Sequence, residues 1–196
     1  MLQEAIKHLN TYFGYSSFRT GQSQIIENVL QKQDTLVIMP TGGGKSVCYQ
    51  IPALCLQGTT VVISPLISLM KDQVDMLVSS GIKAAYINSS LSYDEVQDVM
   101  YAVRNGEIKL LYIAPERLEN ERFCSELAQI QVPLLAIDEA HCISQWGHDF
   151  RPSYRSIQQL LHLWDVKPTV IALTATATEE VSADIQKLLS IEKSNT

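Results

Sequence analysis

A chain of 196 residues suits one domain, and a globule of this size buries roughly 70% of its unfolded surface with no need of a staple. Its 46% hydrophobic and 18% charged residues are ordinary for a soluble domain. The net charge of −6 excludes a global basic excess, so any contact with nucleic acid must be made by a local patch or a loop.

Residues 1–30 read as a helical region and residues 31–190 as the core behind it. The first strand-like run is Thr35–Met39, and a glycine loop follows it. The helix after that loop contains Pro52, where a kink is expected. Thr60–Ser64 is the second run, followed by an amphipathic helix from Leu66 to Ser80 that Gly81 closes. Ala84–Asn88 is the third. Ser92-Tyr93-Asp94-Glu95 is a capping box, and its helix ends near Asn105-Gly106. Lys109–Ala114, Leu134–Asp138 and Thr169–Thr174 complete the runs, and Thr178 caps a last helix reaching to about Ser190. The polar tail from Glu192 to Thr196 is expected to fray.

The runs are near-continuously apolar rather than alternating, as in strands covered on both faces. Repeated β-α-β units therefore predict an α/β fold: a parallel, doubly wound sheet of about six or seven strands with right-handed crossovers. Ligands of such sheets bind beyond the carboxyl ends of the strands.

Two strings lie at those ends. Met39-Pro40-Thr41-Gly42-Gly43-Gly44-Lys45-Ser46 places three glycines where backbone N–H groups must wrap phosphate oxygens. Lys45 can reach the β- and γ-phosphates, and the Ser46 hydroxyl can ligate Mg²⁺. Met39 stands where the strict phosphate-loop pattern has its first glycine, which argues against small GTPases and kinases. Asp138-Glu139-Ala140-His141 supplies the second part. Asp138 is expected to hold Mg²⁺ through water, Glu139 to orient or deprotonate the attacking water, and His141 to couple this site to a neighbouring segment by a hydrogen bond. In this order the two strings predict binding and hydrolysis of a nucleoside triphosphate.

The loop after Glu139 carries Trp146, His148, Phe150 and Arg151. Aromatic faces beside a cation suit stacking on unpaired bases, at about 1–3 kcal/mol per base; the competing reading packs Trp146 on the following helix. The cysteines, Cys48, Cys55, Cys124 and Cys142, form no C-x-x-C pair and have no zinc-like spacing. They read as free thiols in a reducing compartment, and no zinc is expected. Met1–Asn10 has no apolar signal core, and no run approaches the roughly 18 apolar residues of a membrane span. A cytoplasmic protein without a membrane partner is expected.

Together these strings resemble superfamily 2 helicases, and others narrow the likeness to the RecQ family. They are Phe13-Gly14-Tyr15-Ser16-Ser17-Phe18-Arg19-Thr20-Gly21-Gln22, the run from Ile63 to Gln73, Tyr112–Leu118 and Ala172–Ala177. The most specific is the run from Ala140 to Pro152. The resemblance covers essentially the whole chain, is bacterial in detail, and implies the first RecA-like lobe of a 3′-to-5′ DNA helicase of repair and recombination. It implies that Tyr15 and Arg19 flank adenine while the Gln22 amide bonds to its N6 and N7 edge, favouring ATP over GTP. Thr41, Gly42, Gly43, Gly44, Lys45 and Ser46 would hold the phosphates.

The same resemblance assigns Trp146, His148, Phe150 and Arg151 to sensing single-stranded DNA. Ser64, Ser68, Lys71, Asn88 and Ser89 suit phosphodiester contacts. His141, Thr174 and Thr176 would link the ATP state to the DNA state. The expected cofactors are ATP and Mg²⁺. The expected partners are single-stranded and duplex DNA and a second RecA-like lobe of the same parent chain, which supplies arginine fingers. The family's second lobe, zinc and winged-helix regions lie outside these residues. The lobe alone is therefore expected to bind ATP weakly, hydrolyse it slowly and not unwind DNA, in a bacterial cytoplasm near the nucleoid. An RNA helicase lobe and a non-hydrolysing DNA-binding switch are the alternatives. The Trp146 loop opposes the first, and intact Lys45, Asp138 and Glu139 oppose the second.

Overall fold

The computed structural model describes residues 1–40 and 42–192. Thr41, one of the expected phosphate-binding residues, and the tail from residue 193 lie outside the described residues. Six strands form one parallel sheet: β1 (Thr35–Ile38), β2 (Thr60–Ile63), β3 (Ala84–Ile87), β4 (Leu110–Ile113), β5 (Leu134–Ile137) and β6 (Thr169–Thr174). Their spatial order is β1-β6-β5-β2-β4-β3.

The helices are α1 (Leu2–His8), α2 (Gln22–Leu30), α3 (Val47–Cys55), α4 (Ile67–Ser79), α5 (Tyr93–Arg104), α6 (Glu121–Ala128), α7 (Ser156–Leu163) and α8 (Glu179–Leu189). Alternate strand residues face opposite layers. Val61, Ile63, Leu111, Ile113, Leu135 and Ile137 pack with Met100, Leu127, Leu160 and Ile185 from α5 to α8. Their neighbours Val62, Leu110, Tyr112, Leu134 and Ala136 pack with Cys48, Tyr49, Met70 and Leu77 from α3 and α4. Burying one such large aliphatic side chain contributes about 1.5–3 kcal/mol. This double cover explains the unbroken apolar runs.

Local chemistry sets the ends of the elements. The Ser92 hydroxyl accepts from Glu95 N at 3.2 Å, and Glu95 Oε1 accepts from Ser92 N at 3.0 Å, closing the capping box of α5. The Thr178 hydroxyl caps α8 by accepting from Val181 N at 3.2 Å. α4 ends where Gly81 takes φ +92°, a left-handed turn that favours glycine. Pro52 stands inside α3 and offers no N–H to the Cys48 carbonyl. Asp34 ties the start of β1 to its neighbour, accepting from Val170 N at 2.9 Å and Lys167 Nζ at 2.7 Å.

The N-terminal helices form a small core of their own. Ala5, Leu9, Ile26 and Leu30 bury against Ile51 of α3. Because α3 opens right after the glycine loop, this packing brings the segment from Arg19 to Gln22 against that loop.

Candidate functional site

The glycine loop leaves β1 with its first residue still in the ladder: Met39 N donates to Thr174 O at 3.1 Å. Gly43 N then turns back to Pro40 O at 2.9 Å, and Gly44 takes φ +84°. A Cβ added at Gly44 would collide with the Gln22 amide nitrogen, so this position needs glycine for both backbone and space. Three side chains bond to the loop's carbonyls. Arg19 Nη1 donates to Gly42 O at 2.7 Å, Gln22 Nε2 to Gly44 O at 3.1 Å and Lys45 Nζ to Met39 O at 3.2 Å.

The Gln22 side chain is buried, and its Oε1 accepts from Arg19 N at 2.8 Å. Both ends of the amide expected to read adenine are thus engaged with the chain itself. Tyr15 is exposed.

A cleft of about 410 Å³ opens beside this loop, lined by Lys45, Ser46, Gln73, Asp138 and Glu139 among others. Asp138 extends the β5 ladder through its N–H to Ile63 O at 2.9 Å. Glu139 then adopts φ +51°, an uncommon left-handed conformation for a non-glycine residue that turns the chain sharply at the strand end. Two bonds support that bend. Glu139 N donates to Asp138 Oδ1 at 3.0 Å, and the buried Tyr154 hydroxyl donates to Asp138 O at 2.8 Å.

Burial, and then the neighbouring Glu139 charge, pushes the Asp138 carboxyl up to about 6; the Glu139 N–H and Lys45 pull the other way. A buried carboxylate beside a second one is a place where a cation relieves both desolvation and repulsion. The Ser46 hydroxyl and the Asp138 carboxylate line the same cleft, so this oxygen donor set fits Mg²⁺.

His141 is buried, and its Nδ1 lies 2.8 Å from Thr174 Oγ1 at the end of β6 and 3.6 Å from Glu139 Oε2. Burial, the largest influence, holds its pKa below the ordinary value, so the ring is neutral at pH 7. The Thr174 hydroxyl also donates to Thr176 O at 3.0 Å. One chain of contacts therefore runs from Glu139 through His141 and Thr174 to the exposed Thr176.

Behind the cleft lies a buried polar cluster that no spacing in the sequence announces. Tyr49 and Tyr112 share a hydrogen bond at 3.0 Å between their hydroxyls, and Gln50 Nε2 donates to Tyr112 at 3.0 Å. Tyr154 and Gln73 were missed as well, because lone Tyr and Gln residues carry no spacing signal.

The loop after the Asp-Glu-Ala-His string doubles back over it. Arg151 N donates to Cys142 O at 2.9 Å, and the His148 ring stacks on His141 with centroids 5.1 Å apart. Phe150 lies beneath the Arg155 guanidinium at 5.4 Å. Trp146 is 66% exposed, so its ring stands open to solvent and outside the core.

The remaining polar candidates divide. Ser68, Lys71 and Ser89 are exposed, with Lys71 paired to Asp75 at 2.8 Å. Ser64 and Asn88 are buried. Asn88 Oδ1 accepts from Ser90 N at 2.9 Å, and its carbonyl accepts from Arg117 at 3.0 Å. As placed, the Asn88 side chain shapes its turn and does not face solvent for a phosphodiester.

Among the described residues no helix is long and apolar enough to cross a membrane. A family profile described as "DEAD/DEAH box helicase" matches residues 19–184. The ATP-dependent DNA helicase RecQ of Bacillus subtilis is 59% identical over 197 residues, covering 100% of this chain and 33% of that protein. The protein of the same name from Pasteurella multocida is 50% identical, covering 97% of this chain and 30% of its own length. The chain thus spans about a third of the length of these bacterial relatives. The Pyrococcus furiosus Hef helicase domain shares the fold at TM-score 0.70 and 20% identity, over 89% of this chain and 37% of that one. With a matching profile over most of its length, and with the phosphate loop and the Asp138-Glu139 pair brought to one cleft, the chain belongs to the DEAD/DEAH box helicases, within their RecQ family.

Proposed function

We propose that this chain is the first motor lobe of an ATP-dependent, 3′-to-5′ DNA helicase of RecQ type, acting in repair and recombination. The observation that carries the reading is a single connected unit. The phosphate loop and Glu139 share one cleft, and Glu139 is joined through His141 to the loop that exposes Trp146.

For nucleotide to enter, Lys45 exchanges the Met39 carbonyl for phosphate oxygens. Gln22 and Arg19 exchange the loop carbonyls for the base. Ser46 and Asp138 would hold Mg²⁺, which would neutralise phosphate charge. Glu139 accepts the proton of the attacking water, held at the strand end by the bend that Tyr154 supports. Trp146, His148, Phe150 and Arg151 take unpaired bases of the strand, and Ser68, Lys71 and Ser89 take its phosphates. A base stacked on Trp146 moves the loop, and the His148–His141 stack passes that shift to Glu139 and Thr174. A second lobe of the parent chain supplies the arginine that completes hydrolysis. The lobe alone binds ATP weakly and does not unwind.

Calorimetric binding of Mg-ATP and Mg-GTP to the chain, beside Lys45→Ala and Gln22→Ala, tests the nucleotide half. ATP-selective binding lost in both variants is the expected result. Equal binding of GTP overturns the adenine assignment of Gln22. In the parent enzyme, equal stimulation of ATP turnover by RNA and DNA overturns the DNA-helicase reading.

A further inference from the structure

The sequence offered no zinc spacing, yet folding gathers three ligand-bearing side chains at the root of the Trp146 loop. His141, Cys142 and Asp149 each place one ligand atom within 4.8 Å of the other two. Asp149 Oδ2 lies 3.7 Å from Cys142 Sγ and 4.0 Å from His141 Nε2. A tetrahedral zinc ion with bonds of about 2.0–2.3 Å separates its ligand atoms by roughly 3.3–3.8 Å, close to the two separations from Asp149, and the His141–Cys142 pair closes in from within 4.8 Å.

Hydrogen bonding fixes what these atoms present. The Thr174 hydroxyl has one hydrogen and donates it to Thr176 O at 3.0 Å. Its oxygen must then accept from His141 Nδ1 at 2.8 Å, so Nδ1 carries the ring proton and Nε2 is a bare lone pair. That lone pair faces a carboxylate oxygen: two acceptors confront each other across 4.0 Å. A cation satisfies such a pair, and the Nδ1–H bond to Thr174 is the outer support that metal-bound imidazoles use. Among the described residues Arg151 pairs with this carboxylate only at ion-pair distance, its buried Nε 3.8 Å from Asp149 Oδ2 with no hydrogen-bond partner.

We propose that His141 Nε2, Cys142 Sγ and Asp149 Oδ2 form a site for zinc or a similar borderline divalent cation, which fastens the Trp146 loop to the end of β5. Water takes the fourth position. On binding, the cysteine S–H bond breaks, a sulfur–metal bond forms, and the proton leaves to solvent. No electron changes hands. The site stands on ligand geometry and does not depend on what the loop itself binds.

A second group, Glu4 and His8 of α1 with Cys55 of α3, also brings ligand atoms within 4.8 Å, and it supplies the control. The chain, stripped with a chelator, is titrated with Co²⁺ and then with Zn²⁺ against a chromogenic chelator. One equivalent of Co²⁺ should give the intense visible bands of a tetrahedral ion and a near-ultraviolet thiolate-to-cobalt band. That band should vanish in Cys142→Ser. Zinc affinity should fall by about tenfold or more in Asp149→Asn, whose half-exposed side chain leaves the core intact, and should be unchanged in Cys55→Ser. Absence of a thiolate–cobalt band in the unmodified chain overturns the proposal. So does a band that survives Cys142→Ser or disappears in Cys55→Ser, and so does full zinc affinity in Asp149→Asn.

Discussion

Replacing Asp138 by Asn should make the protein more stable while removing its chemistry. The Asp138 carboxyl is raised from 3.8 to about 6 by burial and by Glu139. Above the folded-state value the ionised group is disfavoured in the native protein by its full amount; below the unfolded-state value both states are protonated and the penalty disappears. A shift of this size corresponds to about 3 kcal/mol at pH 7.5, falling to about 1 kcal/mol at pH 4.5. Asn keeps an Oδ1 to accept from Glu139 N, now at 3.0 Å, and carries no charge to desolvate. Urea denaturation of both proteins at the two pH values is the assay. At pH 7.5 Asp138→Asn should be more stable by about 2–3 kcal/mol, or roughly 5–10 °C in melting temperature for a chain of this size. The gain should shrink by about two-thirds at pH 4.5. A variant no more stable than the original at pH 7.5, or a gain that does not change with pH, would show that the penalty does not reside on this carboxylate.

The loop and the bend give further tests. Trp146→Ala should leave stability within about 0.5 kcal/mol, because the ring is exposed, yet abolish DNA stimulation of ATP turnover in the parent enzyme. Unchanged stimulation would remove Trp146 from the coupling path. Tyr154→Phe deletes the bond to the Asp138 carbonyl and should lower stability by about 1 kcal/mol. Turnover should fall more than KM for ATP rises; a change confined to KM would mean that the bend does not position Glu139. Gly44→Ala should destabilise by about 1 kcal/mol or more, since alanine resists φ > 0 and meets the Gln22 amide. Denaturation and nucleotide titration check this together, and an unchanged protein would show that the loop has another resting shape.

The six strands were legible because each is a short apolar run that both layers of helix demand. The capping box at Ser92 and the Thr178 cap were legible because they are local chemistry within four residues. That the glycine loop and Asp138-Glu139 meet in one cleft was legible for a related reason: each string is consecutive and sits at a strand end. What escaped depends on pairs far apart in the chain. Nothing near Gln22 reveals that its amide ends on Gly44, and nothing near Asn88 reveals that its side chain turns inward to Ser90. Tyr154 reaches Asp138 only through a one-turn helix at Pro152–Arg155. The approach of Asp149 to Cys142, at 3.7 Å, has no spacing signal either; it accompanies the return of Arg151 N to Cys142 O.

The three side chains bonded to the glycine loop have a kinetic consequence. Arg19, Gln22 and Lys45 occupy, by their own hydrogen bonds, the loop that a nucleotide must use. Each such bond is worth about 1 kcal/mol net, so affinity is lowered by the share of molecules in this self-bonded arrangement. The same arrangement helps at the end of a cycle. As product leaves, the carbonyls of Met39, Gly42 and Gly44 find partners at once within the chain. A site that must turn over gains more from rapid exchange than from tight holding, and this loop carries its own means of letting go.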